Sequence, residues 1–236
     1  MVLNAIVLRS RVHKEHDRII TCYTRELGKV DILVRSAQKS NSKLAPLTSG
    51  FYAILSLSLE SGRNHYHLIG GEIKKYFKNI LSSYDKTWLL ARLFKTLDEI
   101  IKPEKINRQV FDLIVKFLES LNRRTLIDKE IFFYAFLLKF LSLLGYQPEI
   151  KKCLFCHRQP KAGEKIFFDV SHGGLVCEKC LVKKHAAAIS ISPAVAEVLR
   201  QLLYRRFDQL ERSKFIKADF RRAKVVINRF FKWHLG

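Results

Sequence analysis

Apolar positions along this chain follow one period, then another. From residue 1 to about residue 80, apolar and polar side chains alternate in short runs: Ala5 to Val12, Arg18 to Thr24, Lys29 to Val34, Phe51 to Glu60 and Asn64 to Ile69. A period of two turns one side of each run toward a core, which predicts five strands. Glu26-Leu27-Gly28-Lys29 turns the second run into the third, and Ser61-Gly62-Arg63 closes a hairpin between the last two. Five short strands suit a small closed barrel, and for a basic chain the oligonucleotide-binding barrel comes first. An SH3-like barrel or an open sheet fits the same runs.

From Tyr84 the period becomes helical. Leu89, Leu93, Leu97 and Ile100 form one stripe, and Phe111, Ile114, Leu118 and Leu121 form another. Lys129 to Leu144 is apolar on nearly every side and is stopped by Gly145 and Pro148. It is predicted to be the central helix of a bundle over residues 81–150, N-capped by Asp128. Later, Ser192-Pro193 opens a helix with Val195, Val198, Leu199 and Leu202 on its apolar stripe. The last segment, Lys214 to His234, carries Ile216, Phe220, Ala223, Ile227 and Phe230 on one face. Lys217, Arg221, Lys224 and Lys232 lie on the other, with Arg222 and Arg229 on the flanks.

Between the bundle and these helices stand Cys153-Leu-Phe-Cys156 and Cys177-Glu-Lys-Cys180, separated by twenty residues. That is the spacing of a metal site. Each pair presents two thiolates from one tight turn. Ile166 to Val170, the turn His172-Gly173-Gly174, and Leu175-Val176 read as a hairpin that returns Cys177 to Cys153. A pair of disulfides would suit a secreted chain, and a redox Cys-x-x-Cys leaves the other pair unexplained. One structural zinc ion is the better reading, because four thiolates leave no position for a catalytic water. His157, His172 and His185 lie near enough to replace a ligand but are expected at the surface. Cys22, in a predicted strand, reads as a small buried apolar residue.

Charge adds the function class. Lys and Arg total 43 against 22 acidic residues, a formal charge of +21, and such self-repulsion implies a polyanionic partner. Residues 1–80 hold 13 basic and 6 acidic side chains, residues 81–150 hold 11 and 9, and residues 151–236 hold 19 and 7. The surplus therefore sits toward the two ends. In the first region Arg9, Arg11, Lys14, Arg18, Arg25, Lys29, Arg35, Lys39 and Lys43 are candidate phosphate contacts, several at strand ends or in the polar loop Ser36 to Leu47, expected to be flexible. The last helix offers Lys217, Arg221 and Lys224. Single-strand binding also needs aromatic faces, for which Tyr23, Phe51, Tyr52, Tyr66, His65 and His67 are available. The alternation sends about half of such rings inward.

Other classes recede. Met1 to Arg11 lacks the apolar centre and cleavage site of a signal peptide, and Ile131 to Leu144 contains Lys139 and is too short to span a bilayer. A cytoplasmic chain with no membrane partner is expected. His13-Lys14-Glu15-His16 is one residue short of a His-x-x-Glu-His zinc motif, and Gly28-Lys29 lacks the flanking residues of a phosphate loop. No small-molecule substrate and no catalysis are expected. A zinc hydrolase would need an open metal position. An RNA-binding or transcription-associated zinc-ribbon protein is the alternative that shares the basic barrel and the cysteines.

Several segments together resemble the bacterial RecO family of DNA repair proteins. They are Leu144 to Pro148 leading into Cys153, Gly173 to Cys180, and His234-Leu235-Gly236, with Asn4 to Arg11, Asp17-Arg18-Ile19-Ile20 and Leu27-Gly28-Lys29 near the start. The resemblance runs over essentially the whole chain. It implies an α+β multidomain chain: an N-terminal five-stranded OB-fold β-barrel, then an α-helical domain containing a small four-cysteine zinc hairpin. The expected boundaries are 1–80 for the barrel, 81–150 for the bundle, 151–190 for the zinc hairpin insertion and 191–236 for basic helices packing on the helical domain. It implies a non-enzymatic mediator of recombinational repair, associated with the bacterial nucleoid, that binds single- and double-stranded DNA and anneals complementary strands. Its implied partners are RecR, RecA and single-strand-binding protein, and its metal ligands Cys153, Cys156, Cys177 and Cys180. Some members of that family lack the cysteines.

Overall fold

The computed structural model describes residues 1–62, 65–103, 105–124, 127–161, 164–181, 188–210, 213 and 215–236. The chain packs as two compact units, Met1–Ile127 and Asp128–Gly236.

In the first unit, β1 (Val2–His13), β2 (Asp17–Thr24), β3 (Gly28–Val34), β4 (Ala53–Ser61) and β5 (Tyr66–Tyr76) close a barrel in the order β1-β2-β3-β5-β4. β3 and β5 run parallel and the other pairs antiparallel, the connectivity of an oligonucleotide-binding barrel. All five predicted strands form. β5 runs past Ile69 to Tyr76 because it stays paired with β4, through register shifts near Ser58 and Ile54 that break the alternation. Arg63 and Asn64 of the expected hairpin lie outside the described residues. Inward positions such as Ala5, Val7, Ile20, Cys22 and Ile32 fill the barrel. Cys22 is the buried apolar residue expected, and burial raises its thiol pKa.

The outward side of β1 and β2 is apolar too. Ile6, Leu8 and Tyr23 are buried although they point away from the barrel core. After the short α1 (Lys78–Leu81), α2 (Tyr84–Ile100) and α3 (Arg108–Arg123) belong to this unit, and α2 packs on β1. Lys86 sits buried at the base of α2, and its ammonium donates to the carbonyls of Asn79 and Arg124, fastening α2 to the ends of α1 and α3. Burial lowers its pKa.

The predicted bundle over 81–150 is divided by this packing. α2 and α3 lie with the barrel, whereas α4 (Lys129–Leu143) is the centre of the second unit. The apolar stripes explain the division. α2 and α3 are one-sided and each buries one face, while α4 is apolar all round and needs neighbours on every side. Asp128 caps it as expected, accepting from the backbone N–H of Glu130 and Ile131. Lys139 donates to the Leu203 carbonyl and lies over the Phe207 ring, and burial brings its pKa down to about 8.

The second unit also holds β6 (Ile166–Asp169), β7 (Gly174–Cys177), α5 (Glu178–Leu181), β8 (Ala188–Ile191), α6 (Pro193–Tyr204), α7 (Phe207–Leu210) and α8 (Lys217–Leu235), of which α6, α7 and α8 pack on α4. The strands form a sheet in the order β7-β6-β8. β8 escapes sequence reading because its four residues are too few to show a period. Ser192 caps α6 by accepting from Val195 N–H. Leu138, Ile150, Phe168, Leu199, Ile227 and Phe230 close on one another with no room for a water molecule. His234 Nε2 lies 3.1 Å from the Val170 carbonyl oxygen, with its ring between Tyr146 and Phe230, so His234-Leu235-Gly236 fastens α8 beside β6. Ile216 is a correction: it precedes α8 as its N-cap and is 70% exposed, outside the apolar stripe assigned to it. Lys214 lies outside the described residues. Among the described residues no helix is long and apolar enough to cross a membrane.

The turn between β2 and β3 is where the barrel meets its helices most closely. Gly28 has φ +72°, and a Cβ built there would stand 2.3 Å from the Lys105 carbonyl oxygen. Both the left-handed backbone and the backbone contact exclude a side chain. Gly28→Ala should destabilise the chain by about 2–4 kcal/mol in chemical denaturation. Gly70→Ala, with nothing within 4 Å of the built Cβ, should stay within about 0.5 kcal/mol of the parent.

Candidate metal centre and nucleic-acid surface

Each pair of cysteines is set by the local backbone. Residues 149–154 run beside β7, with Glu149 N–H donating to the Gly173 carbonyl, Leu175 N–H to the Glu149 carbonyl and Leu154 N–H to the Leu175 carbonyl. The chain then turns tightly. His157 N–H donates to the Cys153 carbonyl and Cys153 N–H to the Arg158 carbonyl, with His157 at φ +56°. The expected hairpin forms, with Ile166 opposite Cys177. Asp169 is fully buried at its turn and accepts from Ser171 N–H, Ser171 Oγ, His172 N–H and His172 Nδ1. Burial pushes its carboxyl up, but these partners outweigh it and the pKa falls below the ordinary value.

The result is one cluster. The Sγ atoms of Cys153, Cys156, Cys177 and Cys180 all lie within 4.8 Å of one another. Cys156 Sγ and Cys177 Sγ are 3.8 Å apart. A tetrahedron with metal–sulfur bonds of about 2.3 Å has edges of about 3.8 Å, so the donor set fits a four-sulfur metal ion. Burial raises the Cys153 thiol, yet the N–H groups of Cys156, Cys177 and Phe155, with the Cys156 thiol, outweigh it and bring the pKa down to about 6. Four thiolates this close repel, and a cation at their centre offsets that. The cluster holds cysteines and no histidine among the described residues: His172 is occupied by Asp169 and Ser171, and His157 lies outside it. His185 lies outside the described residues.

The candidate phosphate contacts fall into two groups. Some are spent on packing. Lys29 is held under α2, donating to the Asp98 carbonyl and lying 3.5 Å from Asp98 Oδ1, with the two side chains 13% and 15% exposed. Arg9 also reaches Asp98, at 3.2 Å. Arg25 pairs with Asp112 at 3.6 Å and Arg11 with Asp31 at 3.6 Å, all four partly exposed. Exposed pairs are worth about 0–1 kcal/mol each, whereas a half-buried lysine with two acceptors is committed to its site. In the second unit Lys224 pairs with Glu130 at 2.8 Å over the rings of Tyr134 and Phe220.

The others stay at the surface. Lys14 lies in the β1–β2 turn at φ +53°, and Arg18, half-buried beside it, donates to Ser10 Oγ. The segment after β3 folds back on that turn: Ser36 N–H donates to Asp17 Oδ1, Gln38 N–H to the His16 carbonyl, and Gln38 Nε2 to the Glu15 and Asp17 carbonyls. The loop expected to be flexible is thus a string of turns, followed by a 3-10 helix at Ala45–Ser49. This brings Lys14, Arg18, Arg35 and Lys39 to one end of the barrel, with Lys43 further along the same loop. Lys14, Arg35, Lys39 and Lys43 are exposed and carry no ion pair among the described residues. Lys217 and Arg221 are likewise exposed on α8.

The barrel aromatics are mostly spent as well. Tyr23 is 1% exposed and its hydroxyl donates to the Asn107 carbonyl at 3.0 Å, which corrects its assignment as a base-stacking ring. Phe51 and Tyr66 pack on the barrel core, and Tyr52 and His67 are half-buried. Of the six rings, His65 is the exposed one. Sequence reading missed the carboxylates that claim the cations. Asp98 and Asp112 lie about seventy or more positions from their partners, and no local spacing records such pairs.

Comparison with known proteins gives the same answer along the whole length. Residues 1–77 match the family model described as Recombination protein O N terminal, and residues 81–236 match Recombination protein O C terminal. The family models divide the chain at the end of the barrel, whereas the packing divides it after α3. A protein named DNA repair protein RecO from Bacillus pumilus is 31% identical over 232 residues, covering 98% of this chain and 88% of its own. One of the same name from Caldanaerobacter subterraneus subsp. tengcongensis is 27% identical over 231 residues, covering 98% and 91%. The Bacillus subtilis protein of that name is 28% identical over 232 residues, covering 98% and 88%.

For the cluster, elemental analysis of chain purified without chelators should find one metal ion per molecule. Cys177→Ser with Cys180→Ser should abolish it and lower the thermal stability of the C-terminal unit, since site formation and folding are coupled.

Proposed function

We propose that this chain, which belongs to the recombination protein O family, is a DNA repair mediator that holds single- and double-stranded DNA by its phosphates and brings complementary strands together. One observation carries the reading: Lys14, Arg35, Lys39 and Lys43 are exposed cations with no ion pair among the described residues, borne by the turn and loop of an oligonucleotide-binding barrel. Arg18 stands beside them. Cations left without carboxylates attract a polyanion and release its counterions on contact. Contacts to phosphate carry no base information, so binding is independent of sequence.

Lys217 and Arg221 offer a second cationic surface on the other unit. Neutralised phosphates no longer oppose the approach of two strands, and pairing then proceeds by base complementarity. No covalent bond changes, so the reading needs no catalytic group. Arg9, Arg25, Lys29 and Lys224 act in it as packing cations, with Arg11 shared between Asp31 and solvent. Likeness to the family extends the proposal to work with RecR, and with RecA on DNA covered by single-strand-binding protein.

The metal in this reading is zinc. A closed-shell ion without redox chemistry suits four thiolates, and a filled coordination sphere gives it a structural role. It holds residues 149–154 and α5 to the hairpin, the frame on which α8 is fastened.

Titration with unstructured oligo-dT at several salt concentrations tests the phosphate surface. Lys14, Arg35, Lys39 and Lys43 changed together to Ala should weaken binding and make the slope of log K against log salt shallower by about 0.7 for each phosphate no longer neutralised. Melting should be nearly unchanged. Lys29→Ala should do the reverse, costing about 1–3 kcal/mol of stability with little change in the slope. A parent affinity indifferent to salt, or a quadruple variant that binds like the parent, would contradict the reading.

A further inference from the structure

Binding of single strands needs a ring that a base can stack on, and the basic end of the barrel offers no exposed tyrosine, phenylalanine or tryptophan among the residues proposed there. The second unit does. Trp233 is 60% exposed on α8, a position at which a large apolar ring gains little from the fold. Its surroundings on that helix are cationic. Arg222, Arg229, Lys232 and Trp233 follow one another at spacings that keep them on one face, and all are exposed. The apolar face opposite, with Ala223, Val226, Ile227 and Phe230, is buried, so the orientation of the helix is fixed. Its one acidic residue, Asp219, lies in the first turn, more than three turns away, and faces Ser192. Tyr84 on α2 is more exposed, but its neighbour is Asp85.

We propose that this face of α8 is a single-strand contact in which Trp233 stacks on an unpaired base while Arg229 and Lys232 hold the flanking phosphates. The proposal rests on the DNA-binding reading above and adds a selectivity to it. In a duplex both faces of each internal base are already covered, so Trp233 acts on single strands and leaves duplex affinity to the cations. That difference suits a protein that gathers single strands and lets go once they have paired.

The chain has two tryptophans, which makes the test direct. Trp88→Phe leaves Trp233 as the single tryptophan fluorophore and keeps an aromatic ring beside Arg92. Labelled oligo-dT is titrated with the full chain, with anisotropy reporting binding and tryptophan emission reporting stacking. Emission should be quenched in step with anisotropy for oligo-dT and stay nearly unquenched for a duplex bound to the same extent. Trp233→Ala should weaken oligo-dT binding by roughly 5- to 100-fold with duplex binding unchanged, and Trp233→Phe should recover most of the loss. Full binding without quenching, or equal losses for oligo-dT and duplex, would overturn the role of Trp233 and leave the DNA-binding reading standing. No anisotropy change with either DNA would overturn both.

Discussion

The clamp between the barrel and its helices is the interaction on which the first unit depends. Lys29 and Arg9 converge on Asp98, and the Tyr23 hydroxyl reaches the Asn107 carbonyl. Gly28 presses its backbone against Lys105. Together with Ile6 and Leu8 they use up the outer face of β1 and β2. Barrels of this type present a ligand on their second and third strands and the adjoining loops. Here the β2–β3 turn is closed by packing against Lys105, whereas the other end, where the β1–β2 turn meets the loop after β3, keeps its cations exposed. The position of the proposed DNA surface follows from where the helices are not.

Charge obeys the same rule. A chain at +21 has too few carboxylates to pair every cation, so folding chooses which ones to neutralise. Asp98, Asp112 and Glu130 stand where elements pack and take Arg9, Lys29, Arg25 and Lys224. Among the cations left exposed are those on the loop of the barrel and the outer face of α8. In the second unit four sulfurs within 4.8 Å join the ends of a short hairpin that has only four residues in each strand. Strands that short hold little by themselves, and the four sulfurs are placed where a metal ion would supply what they lack.

Much of this was legible in the sequence because local spacing encodes it. The alternation of β1 to β5, the caps at Asp128 and Ser192, and the two Cys-x-x-Cys turns are each read within a few residues. What was not legible is pairing over distance. Arg25 looks like any surface cation until Asp112 is placed beside it, and Tyr23 looks like a stacking ring until α3 covers it. The division of the helices between the two units was hidden for a related reason. Periodicity tells how many faces of α2, α3 and α4 must be buried, but not against which neighbour. Nothing in the local sequence separates Trp233 from a core aromatic; its 60% exposure on α8 does.

On the proposed reading, DNA meets the barrel at the β1–β2 turn and the loop after β3, away from α2 and α3. Backbone hydrogen exchange of the full chain, with and without saturating oligo-dT, reports on this without altering a residue. Slower exchange is expected over residues 13–18 and 34–43, with no change over 19–31 and 94–113. Protection over the second pair of segments with none over the first would contradict it.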